Sequence, residues 1–366
     1  MDLVFADLSA PGITRHRHGK GFSYRDGTGR RLTEAATLQR VRALVIPPAW
    51  RDVWICTDPA GHIQAVGRDE KGRRQYIYHP GFRAEREAEK FEKLVSFAQI
   101  LPRLRRRVAA DMALPGLERD KVLATVVYLL DRTLIRIGNE TYARDNGSFG
   151  LSTLRSGHVA VAGSTIRFTF KGKSGKEWRL AIFDKRVSRI VRTCQHLPGQ
   201  HLFQYRDRDG DLRAVSSDEV NDYLRRAAGG PVSAKDFRTW AGTVLCGLAL
   251  SLAPPPPNER QLRKQLASAV RAVSQRLGNT PAVCRSSYIH PKIFTAHTEG
   301  LLARYARRMS HALAPEGKLT PAERAVLKIL TGTVDQKRAE ASGGAPRPGK
   351  AGAGEARPQE LTAQAA

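Results

Sequence analysis

The chain has 366 residues, 41% of them hydrophobic, which is enough apolar material for a sizeable core and for two domains and excludes a disordered polymer. Lysine and arginine exceed aspartate and glutamate to give a formal charge of +26 and a sequence pI near 10.6. Self-repulsion of that size is relieved by a polyanion, and nucleic acid fits better than a membrane because no run of eighteen apolar residues occurs.

The N-terminal stretch MDLVFADLSAPGITRHRHGK lacks the apolar centre of a signal peptide, so the expectation is a cytoplasmic, nucleoid-associated protein. Cys56, Cys194, Cys246 and Cys284 are far apart and form no C-x-x-C pair, which points to reduced, packed thiols and to neither a disulfide framework nor a zinc site.

The first eighty residues carry hairpin signals. GFSYRDGTGRRLT (21–33) has a turn between two short runs, VWICTDPAGHIQAV (53–66) repeats the arrangement around Pro59 and Gly61, and GRRQYIYH alternates as a strand. One helix is expected near 33–44. From FRAEREAEKFEKLVSFAQI onward the period becomes helical and stays mostly so to about residue 331, placing a domain boundary near residue 82. LERDKVLATVVYLLDRTLIRIG reads as a helix that stops at Gly138. GHVAVAGSTIRFTFKGKSGKEWRLAIF (157–183) interrupts the helices with three short strands. SSDE (216–219) and TPAE (320–323) have capping-box spacing, PPPPN (254–258) separates two helices, and Thr280-Pro281 opens another.

The expected fold class is therefore α+β: a small N-terminal antiparallel β domain, 1–82, followed by a larger mainly α-helical catalytic domain, 83–333, with a short three-stranded β insertion. The segment 334–366 is Ala, Gly and Pro with scattered charge and is expected to be a disordered tail. No internal repeat is found.

Arginines interleave with aromatics in GRDEKGRRQYIYH, where Arg73, Arg74, Gln75, Tyr76 and Tyr78 lie on or beside one strand. Such a strand can contact phosphates and base edges in a groove, or be a solvated strand with two packing tyrosines. Arg136 falls between Ile135 and Ile137 where helix periodicity buries it; a buried guanidinium needs an anion, either a phosphate or an acid such as Glu140. Lys171, Lys173 and Lys176 occupy an expected hairpin turn, a place for a proton donor or a solvated tip. Arg238 opens an apolar helix, against the local dipole, which argues for an anionic partner. Tyr288, in RLGNTPAVCRSSYIHP, is either a half-buried core tyrosine or a nucleophile.

Taken together, these residues are what metal-free phosphodiester transfer requires. Guanidiniums stabilise the non-bridging oxygens as charge builds in a pentacoordinate transition state, a lysine protonates the leaving oxygen, and a phenol attacks. No P-loop, dinucleotide fingerprint or strong metal-ligand cluster is present, and nothing calls for ATP or Mg²⁺ or any other cofactor.

From about residue 20 to 310 the chain resembles the type IB DNA topoisomerases, in the compact form of poxviruses and bacteria. The resemblance rests on ordered blocks: GRRQYIYH, RIGNETYARDNGSFGLSTL, FKGKSGKEW, KDFRTWAGT and LGNTPAVCRSSYIHP. It implies that Tyr288 is the nucleophile of a 3′-phosphotyrosyl intermediate, that Arg136 and Arg238 clamp the phosphate, and that Lys173 is the general acid. It implies relaxation of duplex DNA, preferably supercoiled, by a monomeric clamp, with Arg73, Arg74, Gln75, Tyr76, Tyr78 and more weakly Tyr142 as DNA-binding residues. One position departs from the poxvirus pattern: Asn279 stands where histidine is found there, as expected of a bacterial member. An amide can donate a hydrogen bond to a phosphate oxygen but cannot act as an acid. The alternatives are a tyrosine recombinase, which usually begins with a helical core-binding domain, and a non-catalytic DNA-packaging protein.

Overall fold

In the computed structural model, which describes residues 2–19, 21–207, 209–306 and 317–332, an antiparallel sheet comes first. Its strands are β1 (Ile13–His18), β2 (Gly21–Arg25), β3 (Arg51–Ile55), β4 (Ile63–Arg68) and β5 (Arg74–Tyr78), in the spatial order β2-β1-β3-β4-β5, with helix α1 (Ala35–Ala43) between β2 and β3 in the chain. Ile13, Val41, Val53, Ile55 and Ala65 form a small core between this sheet and α1. The hairpin over 53–66 and the strand in GRRQYIYH form as read from the sequence, and the two also pair with each other. The one over 21–33 shrinks to a single bridge, Arg25 with Arg31, because β2 pairs along its length with β1. β1 itself was not foreseen; its ITRHRH alternation is dominated by polar residues and carries little apolar signal.

The helical region begins with α2 (Pro80–Asp111), where the change of period was expected. α3 (Arg119–Thr133) then ends earlier than the sequence suggested. Leu134 turns left-handed at φ 60°, and residues 135–138 leave the helix to meet a second segment, with Leu151 and Ser152 amides donating to the Arg136 and Ile137 carbonyls at 2.9 and 2.7 Å. Arg136 therefore sits on a connecting segment, free of helical direction. After α4 (Glu140–Asn146) come β6 (Val159–Ala162), β7 (Thr165–Lys171) and β8 (Glu177–Phe183), the three-stranded insertion, with order β6-β7-β8. α5 (Lys185–Gln195) follows, then a short hairpin, β9 (Gln204–Arg206) with β10 (Leu212–Ala214), that the sequence reading passed over.

The remaining helices are α6 (Ser217–Ala228), α7 (Ala234–Ser251), α8 (Glu259–Leu277), α9 (Pro281–Ser287), α10 (Lys292–Thr298), α11 (Leu301–Tyr305) and α12 (Pro321–Thr331). Both expected capping boxes form, Ser216 with Glu219 and Thr320 with Glu323. α7 is apolar nearly all round after its first turn and is accordingly buried, packed against α2, α3, α6, α8, α10, α11 and α12. The four cysteines are buried and unpaired. Among the described residues no helix is long and apolar enough to cross a membrane. The expected tail, 334–366, lies outside the described residues.

One ion cluster ties the helical region together. Arg105 on α2 reaches Asp131 on α3 at 2.8 Å and Glu323 on α12 at 2.8 Å, and Trp240 of α7 donates to Glu323 at 3.1 Å. Burial alone would raise the Glu323 pKa, but Arg105 more than offsets it and holds the carboxyl below its ordinary value. Removing one member leaves a buried charge uncompensated, so Glu323→Ala should destabilise the fold by about 3 kcal/mol in urea unfolding. Because the Glu323 pKa is depressed, its contribution is complete above the unfolded-state value and is lost as pH falls through the folded one. The gap between native and variant should therefore narrow in acid.

Candidate active site and nucleic-acid interface

The connecting segment after α3, the β7–β8 turn, α7 and the end of α9 converge on a cavity of about 320 Å³ lined by Arg136, Tyr142, Lys173, Lys235, Arg238 and Tyr288, among others. The site is assembled from the centre outward. Arg238 lies in the second turn of α7 and is 3% exposed. Its guanidinium donates to the carbonyls of Leu134 and of Leu277, the latter at 2.7 Å, and to Asn279 Oδ1 at 3.1 Å. The anionic partner expected for it, ligand or side chain, is not among these contacts. Leu134 caps the C-terminus of α3 and Leu277 is the last residue of α8, so the negative ends of two helix dipoles take that place. Arg238 Nε is buried without a hydrogen-bond partner.

Arg136 donates to Asn279 Oδ1 and, at 3.4 Å, to the Gly278 carbonyl. Glu140, the acid considered for it, instead lies 4.0 Å from His201. Burial lowers both arginine pKa values, and the nearby Arg136 charge helps bring Arg238 to about 10, which keeps Arg238 protonated near neutrality. Arginine only donates, so the Asn279 oxygen must face the two guanidiniums and its NH₂ must point elsewhere.

Tyr288 caps the C-terminus of α9, which Thr280 and Pro281 open as the sequence indicated. Its carbonyl passes so close to α7 that a Cβ on Gly242 would come within 2.5 Å of it, so this helix crossing requires glycine. The Arg238 guanidinium lies 5.3 Å from the centre of the Tyr288 ring. Burial raises the phenol pKa, but the Arg238 charge, hydrogen bonds from Asn279 and Arg238, and the Arg136 charge outweigh it and leave the pKa below the ordinary value. Lys173 stands exposed on the turn after β7 and lines the same cavity.

The proposed DNA-binding residues divide into two groups. Tyr76 and Tyr78 are each 38% exposed on one face of β5, with rings stacked 6.0 Å apart, and Arg74 is exposed on the same strand. Arg73 and Gln75 instead bind Asp69 at 2.8 and 2.9 Å, and the hydrogen bond from Arg73 leads the effects that lower the Asp69 pKa to about 2. The same β4–β5 turn approaches the helical region: Arg73, whose pKa Asp69 raises, is close enough to Tyr142 for the phenol to add to that rise, and Lys71 Nζ lies 3.4 Å from Asn146 Oδ1. Tyr142 thus adjoins both the sheet and the cavity.

Two lysines escaped the sequence reading. Lys235 lies inside the KDFRT block, where Arg238 drew the attention. Lys90, on α2, donates to the Ser287 carbonyl beside Tyr288, and burial and the Lys235 charge lower its pKa to about 8. Nothing in the α2 pattern distinguishes it from solvated lysines. Among the described residues, no group of three or more His, Cys, Asp or Glu could hold a metal ion.

A family model described as the catalytic core of eukaryotic DNA topoisomerase I matches residues 79–309, and one described as the N-terminal domain of bacterial DNA topoisomerase IB matches residues 21–69. DNA topoisomerase 1B of Acanthamoeba polyphaga mimivirus is 32% identical over 285 residues, covering 76% of this chain and 85% of the relative. DNA topoisomerase 1B of Vaccinia virus (strain Copenhagen) is 22% identical over 234 residues, covering 61% and 69%. With its catalytic core and its N-terminal sheet both matched, and with that mimivirus relative, the chain belongs to the type IB DNA topoisomerases, in the compact form of poxviruses and bacteria.

Proposed function

We propose that this protein relaxes supercoiled duplex DNA by cutting one strand through a 3′-phosphotyrosyl intermediate, letting it rotate, and resealing it. The observation that carries the reading is the hydrogen-bonded set of Arg136, Arg238 and Asn279 around a phenol of depressed pKa, with Lys173 on the same cavity. Tyr288 Oη attacks the phosphorus, forming one P–O bond while the bond to the 5′-oxygen breaks. The phenolic proton leaves to solvent, and Lys173 Nζ supplies a proton to the departing oxygen. The guanidiniums and the buried Arg238 Nε stabilise the equatorial oxygens. One phosphodiester is exchanged for another of similar energy, so resealing by the 5′-hydroxyl requires neither ATP nor a metal, and torsional strain drives the rotation.

The large positive charge supports a grip on the DNA backbone, with β5 in a groove and the protein acting as a cytoplasmic, nucleoid-associated monomer. An N-terminal sheet in place of a helical domain weighs against a recombinase. A packaging protein has no use for a phenol beneath buried cations.

The first test is relaxation of negatively supercoiled plasmid in EDTA without ATP. Tyr288→Phe should lose at least about 10⁴-fold in rate while binding DNA almost unchanged; relaxation at the native rate would refute the assignment. For Lys173→Ala, a bridging 5′-sulfur substrate, whose leaving group needs little protonation, should restore cleavage, whereas equal defects on both esters would leave Lys173 a structural role. Cleavage by the native chain should rise with pH and level off below the ordinary tyrosine pKa. Asn279→Ala removes a hydrogen bond that lowers that pKa, so the midpoint should move upward and the plateau should fall about 10²-fold. An unmoved midpoint would exclude Asn279 from phenol activation.

A further inference from the structure

Lys173 is exposed on a tight turn, so something else must fix where it points. The turn is closed by the Gly172 amide on the Lys176 carbonyl at 2.8 Å and the Gly175 amide on the Gly172 carbonyl at 3.0 Å, contacts that shape the turn but do not anchor it to the rest of the site. Trp178, on β8 opposite Phe170, is 8% exposed, and the two rings stack at 6.1 Å and 3°. A Cβ on Gly172 would lie 2.7 Å from the indole Cδ1 and Nε1, and one on Gly278 would lie 2.9 Å from its Cζ2. The indole is thus wedged between two glycines with no space to spare. Gly172 immediately precedes Lys173. Gly278 immediately precedes Asn279, and its carbonyl accepts from Arg136.

We infer that Trp178 is a positioning residue that sets the Lys173 turn against the loop carrying Asn279 and so fixes the reach of the proton donor to the leaving oxygen. The inference rests on the proposed role of Lys173. An error of about 1 Å in such a placement costs about 10²-fold in rate. The loss should be confined to the step that needs the proton.

The experiment is single-turnover cleavage of one duplex carrying either the natural 5′-oxygen or a bridging 5′-sulfur at the scissile bond. Trp178→Leu should cleave the oxygen ester about 10- to 100-fold more slowly and the sulfur ester close to the native rate. Trp178→Phe, which keeps a ring, should recover most of the loss. Gly172→Ala disturbs the same joint while keeping the indole and should give the same split between esters, so the outcome does not depend on one core substitution folding. Thermal melting identifies the folded variants. If folded Trp178→Leu or Gly172→Ala is slowed equally on both esters, the indole is merely structural and the inference fails. Lys173→Ala is run alongside. Rescue of Lys173→Ala without rescue of the Trp178 and Gly172 variants overturns the inference alone, whereas no rescue of Lys173→Ala overturns the general-acid assignment and the inference with it.

Discussion

Everything in the site depends on how Arg238 is buried. A guanidinium at 3% exposure loses most of its hydration, and here it meets carbonyl oxygens and no carboxylate. A carboxylate would have satisfied it more strongly and also cancelled its charge, leaving nothing to attract a phosphate. The C-terminal carbonyls of α3 and α8 stabilise the cation by partial charges only, and the field that remains is directed at Tyr288. The requirement explains why α3 stops where it does. Were it to continue to Gly138, the Leu134 carbonyl would be taken up inside the helix and Arg136 would lose its place on the connecting segment.

The same logic extends outward. α7 must run through the centre of the helical region to bring Arg238 to those helix ends, and its apolar sequence permits it. Gly242 lets α7 pass directly under the Tyr288 backbone, which fixes the height of the phenol relative to Arg238. The Arg105 cluster then joins α2, α3, α7 and α12 by charge that is paired with carboxylates. Charge paired with carboxylates holds the frame, while the arginines that meet no carboxylate line the cavity.

The elements that could be read from sequence are those with local physics. The insertion strands, the proline-separated helices, the capping boxes and the Thr280-Pro281 start all announce themselves within a few residues. The end of α3 did not, because Leu134 adopts a left-handed backbone that only tertiary contacts of the following segment sustain, and no glycine marks it. β1 is short and polar and gains its pairing from β2 and β3, while β9 and β10, three residues each, pair with one another in a two-stranded sheet and were passed over despite the Asp209-Gly210 turn between them. The candidate catalytic residues were legible one by one, but their partners were not: residue types pointed to an anion for Arg136 and Arg238, a phosphate or an acid, and the fold supplied an amide and helix ends. The division within β5 and the turn before it, with Arg73 and Gln75 held by Asp69 and the tyrosines left outward, is likewise a matter of three-dimensional pairing.

The choice of an amide at position 279 follows from the electrostatics of the loaded site. At an effective dielectric of about 20, a unit charge about 5 Å away is worth about 3 kcal/mol, or about two pKa units, so the arginines can offset the cost of burying a phenolate. In the proposed reaction a phosphate diester between them would bring a negative charge that cancels much of this help when Tyr288 is to attack. A neutral hydrogen-bond donor is not cancelled in that way. With its oxygen held by two guanidiniums, the Asn279 amide has a fixed orientation, and its neutral donor is not cancelled by a negative charge. A histidine there would add positive charge only when protonated, making the site depend on its titration near neutral pH. The asparagine removes that dependence from position 279, leaving pH to act on the site through the phenol and the lysines around it.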